Sequence, residues 1–185
     1  RVNTYVKNRL LIHEDVVVVR NLVDLKGNVS DGIDNKIVVF LLSIEEEKTA
    51  TPNGFGVPIT GNNHPIYLNM YVLFYALFNE KLYEESLKFI SAIIGFFQSK
   101  KVFTPNNTSG LDQQIDKILV EINNISFHEQ SNILSVLGAK YAPCVLYKMR
   151  MVSIEESSIN YTAAKISERG DLMSKAKELF NQKTK

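Results

Sequence analysis

The spacing of apolar residues changes period several times along the chain, and each change marks an element. Thr4 to Leu11 reads as the end of a helix, broken by His13-Glu14-Asp15. Val16–Val19 then begins a strand that the pattern carries through Leu22 and Val23, and Gly27-Asn28 with Ser30-Asp31-Gly32 supply turn chemistry. Lys36 to Ile44 is an unbroken aliphatic run, apolar on both faces, which predicts a central strand covered on both sides. The charged run Glu45-Glu46-Glu47-Lys48 marks its emergence into water. Thr49 to His64, with its prolines and glycines, reads as a long loop.

From Pro65 the residues alternate. Ile66, Leu68, Met70, Val72 and Phe74 form an aliphatic face that predicts core, while Tyr67, Asn69, Tyr71, Leu73 and Tyr75 form a tyrosine-rich face suited to a helix or to another chain. Asn79 is placed to cap a helix running to about Ser99. In it Tyr83, Leu87, Ile90, Ile94 and Phe97 make one apolar stripe, and Phe89, Ile93 and Phe96 a second, so most of its circumference should be buried. After Val102-Phe103 and a turn ending at Gly110, Lys117 to Ile125 reads as a half-buried strand with Ile118, Val120 and Ile122 inward. Ser126 and Glu129 have capping-box spacing, and the helix they open should end at Gly138. A last strand follows Pro143, with Val145, Tyr147, Met149 and Met151 inward and Lys148 and Arg150 outward. Beyond Ile154 bulky apolar residues thin out, leaving a short amphipathic stripe of Leu172, Ala176, Leu179 and Phe180. The pattern therefore predicts an α/β (α+β) fold: a mixed sheet of five or six strands flanked by helices over residues 1–154, with a C-terminal extension over 155–185.

Composition narrows the function classes. Twenty-one basic against twenty acidic residues leave a net charge of +1, without the basic excess that phosphate binding demands, so nucleic acid is not an expected partner. The one cysteine, Cys144, has no disulfide mate, and the three histidines, His13, His64 and His128, are scattered. No apolar run reaches the ~18–20 residues of a membrane span, and no signal-peptide pattern follows Arg1. A soluble protein of a reducing compartment is the resulting expectation.

Candidate chemistry is sparse. Gly54-Phe55-Gly56 with Gly61 lacks the lysine and helix start of a phosphate loop. His13-Glu14-Asp15 are adjacent and cannot converge on one point, so a solvated helix end is expected. Cys144 fits a small buried hydrophobe, since no base is placed to activate it. Glu84-Glu85 and Glu155-Glu156 read as solvated surface, and Lys140, Lys148 and Arg150 as a modest basic group suited to an acidic protein surface. No catalytic, cofactor or metal residue is predicted. The apolar helix, the tyrosine face and the amphipathic tail instead suit a subunit that buries surface against copies of itself.

Six segments in order carry a resemblance: KIVVFLLSIEEEK (36–48), PIYLNMYVLFYAL (65–77), YEESLKFISAIIGFFQ (83–98), VFTPNNT (102–108), DKILVEINNIS (116–126) and LGAKYAP (137–143). With the strand 145–151 they resemble the tail-terminator, or cap, proteins of contractile injection systems of the antifeeding-prophage and Photorhabdus virulence cassette type. The resemblance implies a tail-terminator-like fold and a structural, non-enzymatic role. It implies a hexameric ring that ends tube and sheath polymerisation and anchors sheath to tube, with inner-tube and sheath proteins and its own copies as partners. Assembly in the bacterial cytoplasm into a particle that can be released is part of that expectation. An adaptor at another junction of the particle, or a small α/β ligand-binding domain or enzyme, are the alternatives. Tyr67, Asn69, Tyr71, Lys140, Tyr141, Leu172 and Leu179 are the candidate interface residues.

Overall fold

The computed structural model describes residues 1–24, 27–47 and 67–152. Within them lie helix α1 (Val2–Leu10), strand β1 (Val17–Val19), β2 (Lys36–Glu46), β3 (Leu68–Leu77), helix α2 (Tyr83–Ser99), β4 (Val102–Phe103), β5 (Lys117–Ile122), helix α3 (Phe127–Val136) and β6 (Cys144–Val152). The strands form one sheet in the order β1-β2-β3-β6-β5-β4. Only the β1–β2 pair is parallel; the others are antiparallel. The expected α+β fold with a mixed sheet is thus realised. The predicted extension over 155–185, the loop with Gly54-Phe55-Gly56, His64 and the Glu155-Glu156 pair lie outside the described residues.

The strand pattern is apolar on both faces because each face carries its own core. On one, α1 and α2 cover Ile37, Phe74, Ala76, Val120 and Tyr147. Phe97 sits at the middle of this layer, its ring 4.6 Å from Tyr147, 5.0 Å from Phe96 and 5.5 Å from Phe74 between centroids. On the other face, Leu134 of α3 and the segment carrying Leu22 and Ile33 cover Val38, Phe40, Leu73, Tyr75 and Leu146. Gly95 lets α1 lie close on α2, since a Cβ there would stand 3.3 Å from the Tyr5 hydroxyl.

Several expectations need correction. Asn79 caps a short 3-10 turn, Glu80–Leu82, that feeds α2, accepting from the Lys81 amide at 3.2 Å. In α2 the Phe89/Ile93/Phe96 stripe is buried, whereas Tyr83 and Leu87 at the first turns are exposed. β1 stops at Val19, and Val23 makes only an isolated bridge to Val29. β2 is next to the edge rather than central: β1 covers Ile37–Val39, and from Leu41 onward most of β2 is exposed. In β3 Phe74 is buried as expected, but both faces are buried from Leu73 to Ala76. Leu73, Tyr75 and Asn69 are buried, while Leu68, Met70 and Val72 are only half-buried because the helices on their side do not reach that end. Ile122 is exposed rather than inward, and Leu146 is buried beside the expected Tyr147 and Met151. The capping box forms as predicted, with Ser126 and Glu129 bonded reciprocally, and Gly138 takes the left-handed conformation, φ 62°.

On each outermost strand an asparagine side chain occupies outward-facing backbone groups. Asn3 pairs with both backbone groups of Val17, accepting from its N–H at 2.8 Å and donating to its carbonyl at 2.7 Å. At the far edge the Asn107 amide donates to the Val102 carbonyl at 3.1 Å and accepts from the Thr104 N–H at 3.0 Å. A side-chain amide that occupies edge backbone groups removes the template for unwanted strand addition. His13-Glu14-Asp15 is a solvated helix end, tied down by Lys7–Asp15 at 2.8 Å and Lys36–Glu14 at 3.0 Å.

Phe97→Ala should lower the unfolding free energy by about 3–5 kcal/mol, measured by urea denaturation, because it opens a cavity among three other rings. The Tyr147 phenol is pushed up to about 12 by burial. Its neutral form is favoured in the folded state, so its stabilisation is complete below pH about 10 and is lost as pH rises from about 10 to about 12. Absorbance titration at alkaline pH should show a late-ionising tyrosine that Tyr147→Phe removes.

Candidate functional site

The second sheet face, beside α3, gathers the polar residues singled out from sequence. Asn69 and Tyr71 stand on it because they alternate with the half-buried Met70 and share the side of Leu73 and Tyr75. The Tyr75 hydroxyl donates to the Lys140 carbonyl, which fixes the turn after α3 against the same face. Tyr141, beyond that turn, is 70% exposed. The structure therefore brings Asn69, Tyr71, Lys140 and Tyr141 to one side of the sheet. Tyr67 is half-buried just before β3, its carbonyl accepting from the Glu47 amide at 2.8 Å. Leu172 and Leu179 lie outside the described residues.

Asn69 is unsuited to a free surface. It is 4% exposed, and its Nδ2 donates to Glu47 Oε2 at 2.9 Å. The same carboxylate oxygen lies 3.7 Å from Arg150 Nε and 3.9 Å from Lys148 Nζ. Lys148 and Arg150 thus face a carboxylate of their own chain, which corrects the expectation of a basic group left for an acidic partner. Asn69 Oδ1 and Arg150 Nε are buried without a hydrogen-bond partner among the described residues, so the cluster is held chiefly by charge.

Next to it a groove of about 560 Å³ runs between α3 and the sheet. Leu42, Tyr71 and Leu146 form its floor, and Glu129, Ile133 and Val136 of α3 one wall. Leu42 follows Phe40 onto this face by alternation, and a bulge in β2 between Leu41 and Ser43 brings Ser43 and Glu45 to the same face, opposite Tyr71 and Asn69. The Tyr71 hydroxyl donates to Glu45 Oε2 at 3.1 Å. Desolvation, then the Glu45 hydrogen bond and the nearby Glu45 and Glu47 charges, push the Tyr71 phenol up. Ser126 hydrogen bonds hold the Glu129 carboxyl below its usual range, so it stays charged. Sequence reasoning missed Glu45 and Glu47, which it took as the place where the strand enters water, and missed Val136. The signal for the groove was the i, i+4, i+7 spacing of Glu129, Ile133 and Val136.

Burial pushes the Cys144 thiol up, and its described neighbour is the Gln130 amide at 3.2 Å rather than a base. Among the described residues no group of three or more His, Cys, Asp or Glu could hold a metal ion, and no helix is long and apolar enough to cross a membrane.

The model of the Pvc16 N-terminal domain family matches residues 1–168, nine-tenths of the chain and every described element. The chain belongs to the Pvc16 N-terminal domain family. Among solved structures it is similar to a chain described as "Cryo-EM Structure of an Extracellular Contractile Injection System, PVC sheath/tube terminator in extended state". That likeness has 12% identity and a TM-score of 0.48 over 98% of this chain and 70% of the other. A search of curated proteins finds no match. In this Pvc16-family domain, both the half-buried charge cluster and the groove are built from segments inside the matched range.

Glu47→Gln should cost about 1–2 kcal/mol of stability by urea denaturation, since Arg150 and Lys148 lose the charge that matches them. Glu46→Gln at the neighbouring exposed position should change it by less than about 0.5 kcal/mol.

Proposed function

We propose that this chain is a structural terminator of a phage-tail-like contractile injection particle. In this reading copies of it, six to a ring, close the distal end of the inner tube and sheath, stop their polymerisation and anchor the sheath to the tube. The observation that carries the reading is membership of the Pvc16 N-terminal domain family over residues 1–168, joined to the ordered tail-terminator resemblance of segments between residues 36 and 151.

The physical features suit that task. A terminator must occupy the growing face of an oligomer without presenting the same face again, or the filament would continue. Asn3 on β1 and Asn107 on β4 occupy outward-facing backbone groups, which restricts strand addition at those two strands. The outer side of β2 beyond Val39 has no strand beside it among the described residues, and it offers a defined place for one added strand from a sheath or tube protein. Phe127 and Tyr141 are exposed apolar side chains beside α3, which fits burial against neighbouring subunits. Residues 155–185 serve as an extension that contacts the sheath. The role is non-enzymatic: the particle assembles in the bacterial cytoplasm and carries the chain with it when released.

Electron microscopy of particles made with and without the gene tests the proposal. Tubes of uncontrolled length, or with ragged or sheathless distal ends, are the expected outcome of its loss. Capped particles of unchanged length would overturn it.

A further inference from the structure

We propose that the groove between α3 and the sheet is a docking site for a basic amphipathic helix of another protein chain. The sheet is covered unequally: α1 and α2 pack on one face, whereas the ten-residue α3 and the segment carrying Leu22 and Ile33 pack on the other. Beside α3 no described residue covers the sheet over a groove of about 560 Å³, floored by Leu42, Tyr71 and Leu146. Its helical wall is one continuous stripe, with Ile133 half-buried and Val136 87% exposed. The slot is about 15 Å long by the rise of α3, which accommodates about three helical turns. A partner helix lying there would bury apolar positions at i, i+3, i+4 and i+7.

Charge selects the occupant. Glu45 and Glu129 stand on the rim, and neither is paired with a lysine or arginine among the described residues. Glu47, one turn of the strand away, is by contrast already matched by Lys148 and Arg150. Two carboxylates with no lysine or arginine against them among the described residues, flanking an apolar floor, repel phosphate-bearing surfaces and attract lysine or arginine beside an apolar stripe. The exposed start of α2 in a second copy would not suit the slot, because Tyr83 and Leu87 are accompanied there by Glu84 and Glu85. The inference concerns the chemistry of this surface and stands whether or not the terminator reading does.

The test is fluorescence anisotropy of the full chain with a labelled peptide of about 14 residues, carrying leucine at i, i+3, i+4 and i+7 and lysine on its other face. The same peptide with glutamate for lysine is the control. Saturable binding of the lysine peptide is expected, weakened at high salt, absent for the glutamate peptide, and weakened at least about tenfold in each of Glu45→Lys and Val136→Lys. Both substitutions are at exposed positions, and thermal melts would verify that the variants fold. No saturable binding, equal binding of the glutamate peptide, or unchanged affinity in both variants would overturn the proposal. So would sedimentation showing self-association of the chain that Val136→Lys abolishes, because the occupant would then be a second copy.

Discussion

The antiparallel pairing of β3 with β6 is the constraint on which the rest of the domain depends. These two strands lie at the middle of the sheet, with residues 68–75 registered against 144–151, and both of their faces are apolar over much of that length. A strand pair buried on both sides must recruit a covering layer twice. The Phe74 and Tyr147 rings, 5.6 Å apart, take Phe97 of α2 as their third partner on one side. On the other, Leu73 and Leu146 take Leu134 of α3. Each helix therefore has its place set by residues that alternate along the same two strands.

What is not covered follows from the lengths of those layers. Beyond residue 41 of β2 and before residue 73 of β3 the sheet outruns its helices, so the side chains there must meet water, one another or a partner. The chain answers in two ways. At Asn69, Glu47, Lys148 and Arg150 it closes the face with its own opposed charges. Further along the same strands, at Leu42, Tyr71 and Glu45, it leaves an apolar floor with an acidic rim. A subunit built for assembly needs this combination, because self-satisfied polar surface stays soluble while a restricted apolar surface remains for a specific contact.

The edges obey the same logic. A six-stranded open sheet has two rows of free backbone groups, and here the outermost strands are only three and two residues long, each with an asparagine side chain bonded to its outer backbone. Restricting strand addition in this way matters for a protein of the Pvc16 N-terminal domain family, whose proposed neighbours are themselves polymers.

The local elements were legible in the sequence because their causes are local. Two-residue alternation marked β3, β5 and β6, the Ser126–Glu129 spacing marked the start of α3, and Gly138 marked its end. The ordered segments also carried the family. Periodicity could say that Asn69, Tyr71, Leu73 and Tyr75 share a face, but not how deeply that face is buried. Depth was decided when α3 docked over Leu73 and Tyr75 and stopped short of Tyr71. Nor could it show that Lys148 and Arg150 meet Glu47, about a hundred positions away in the chain, or that Asn3 seals Val17. Those contacts depend on where distant segments come to rest against one sheet, and the tertiary structure alone sets that.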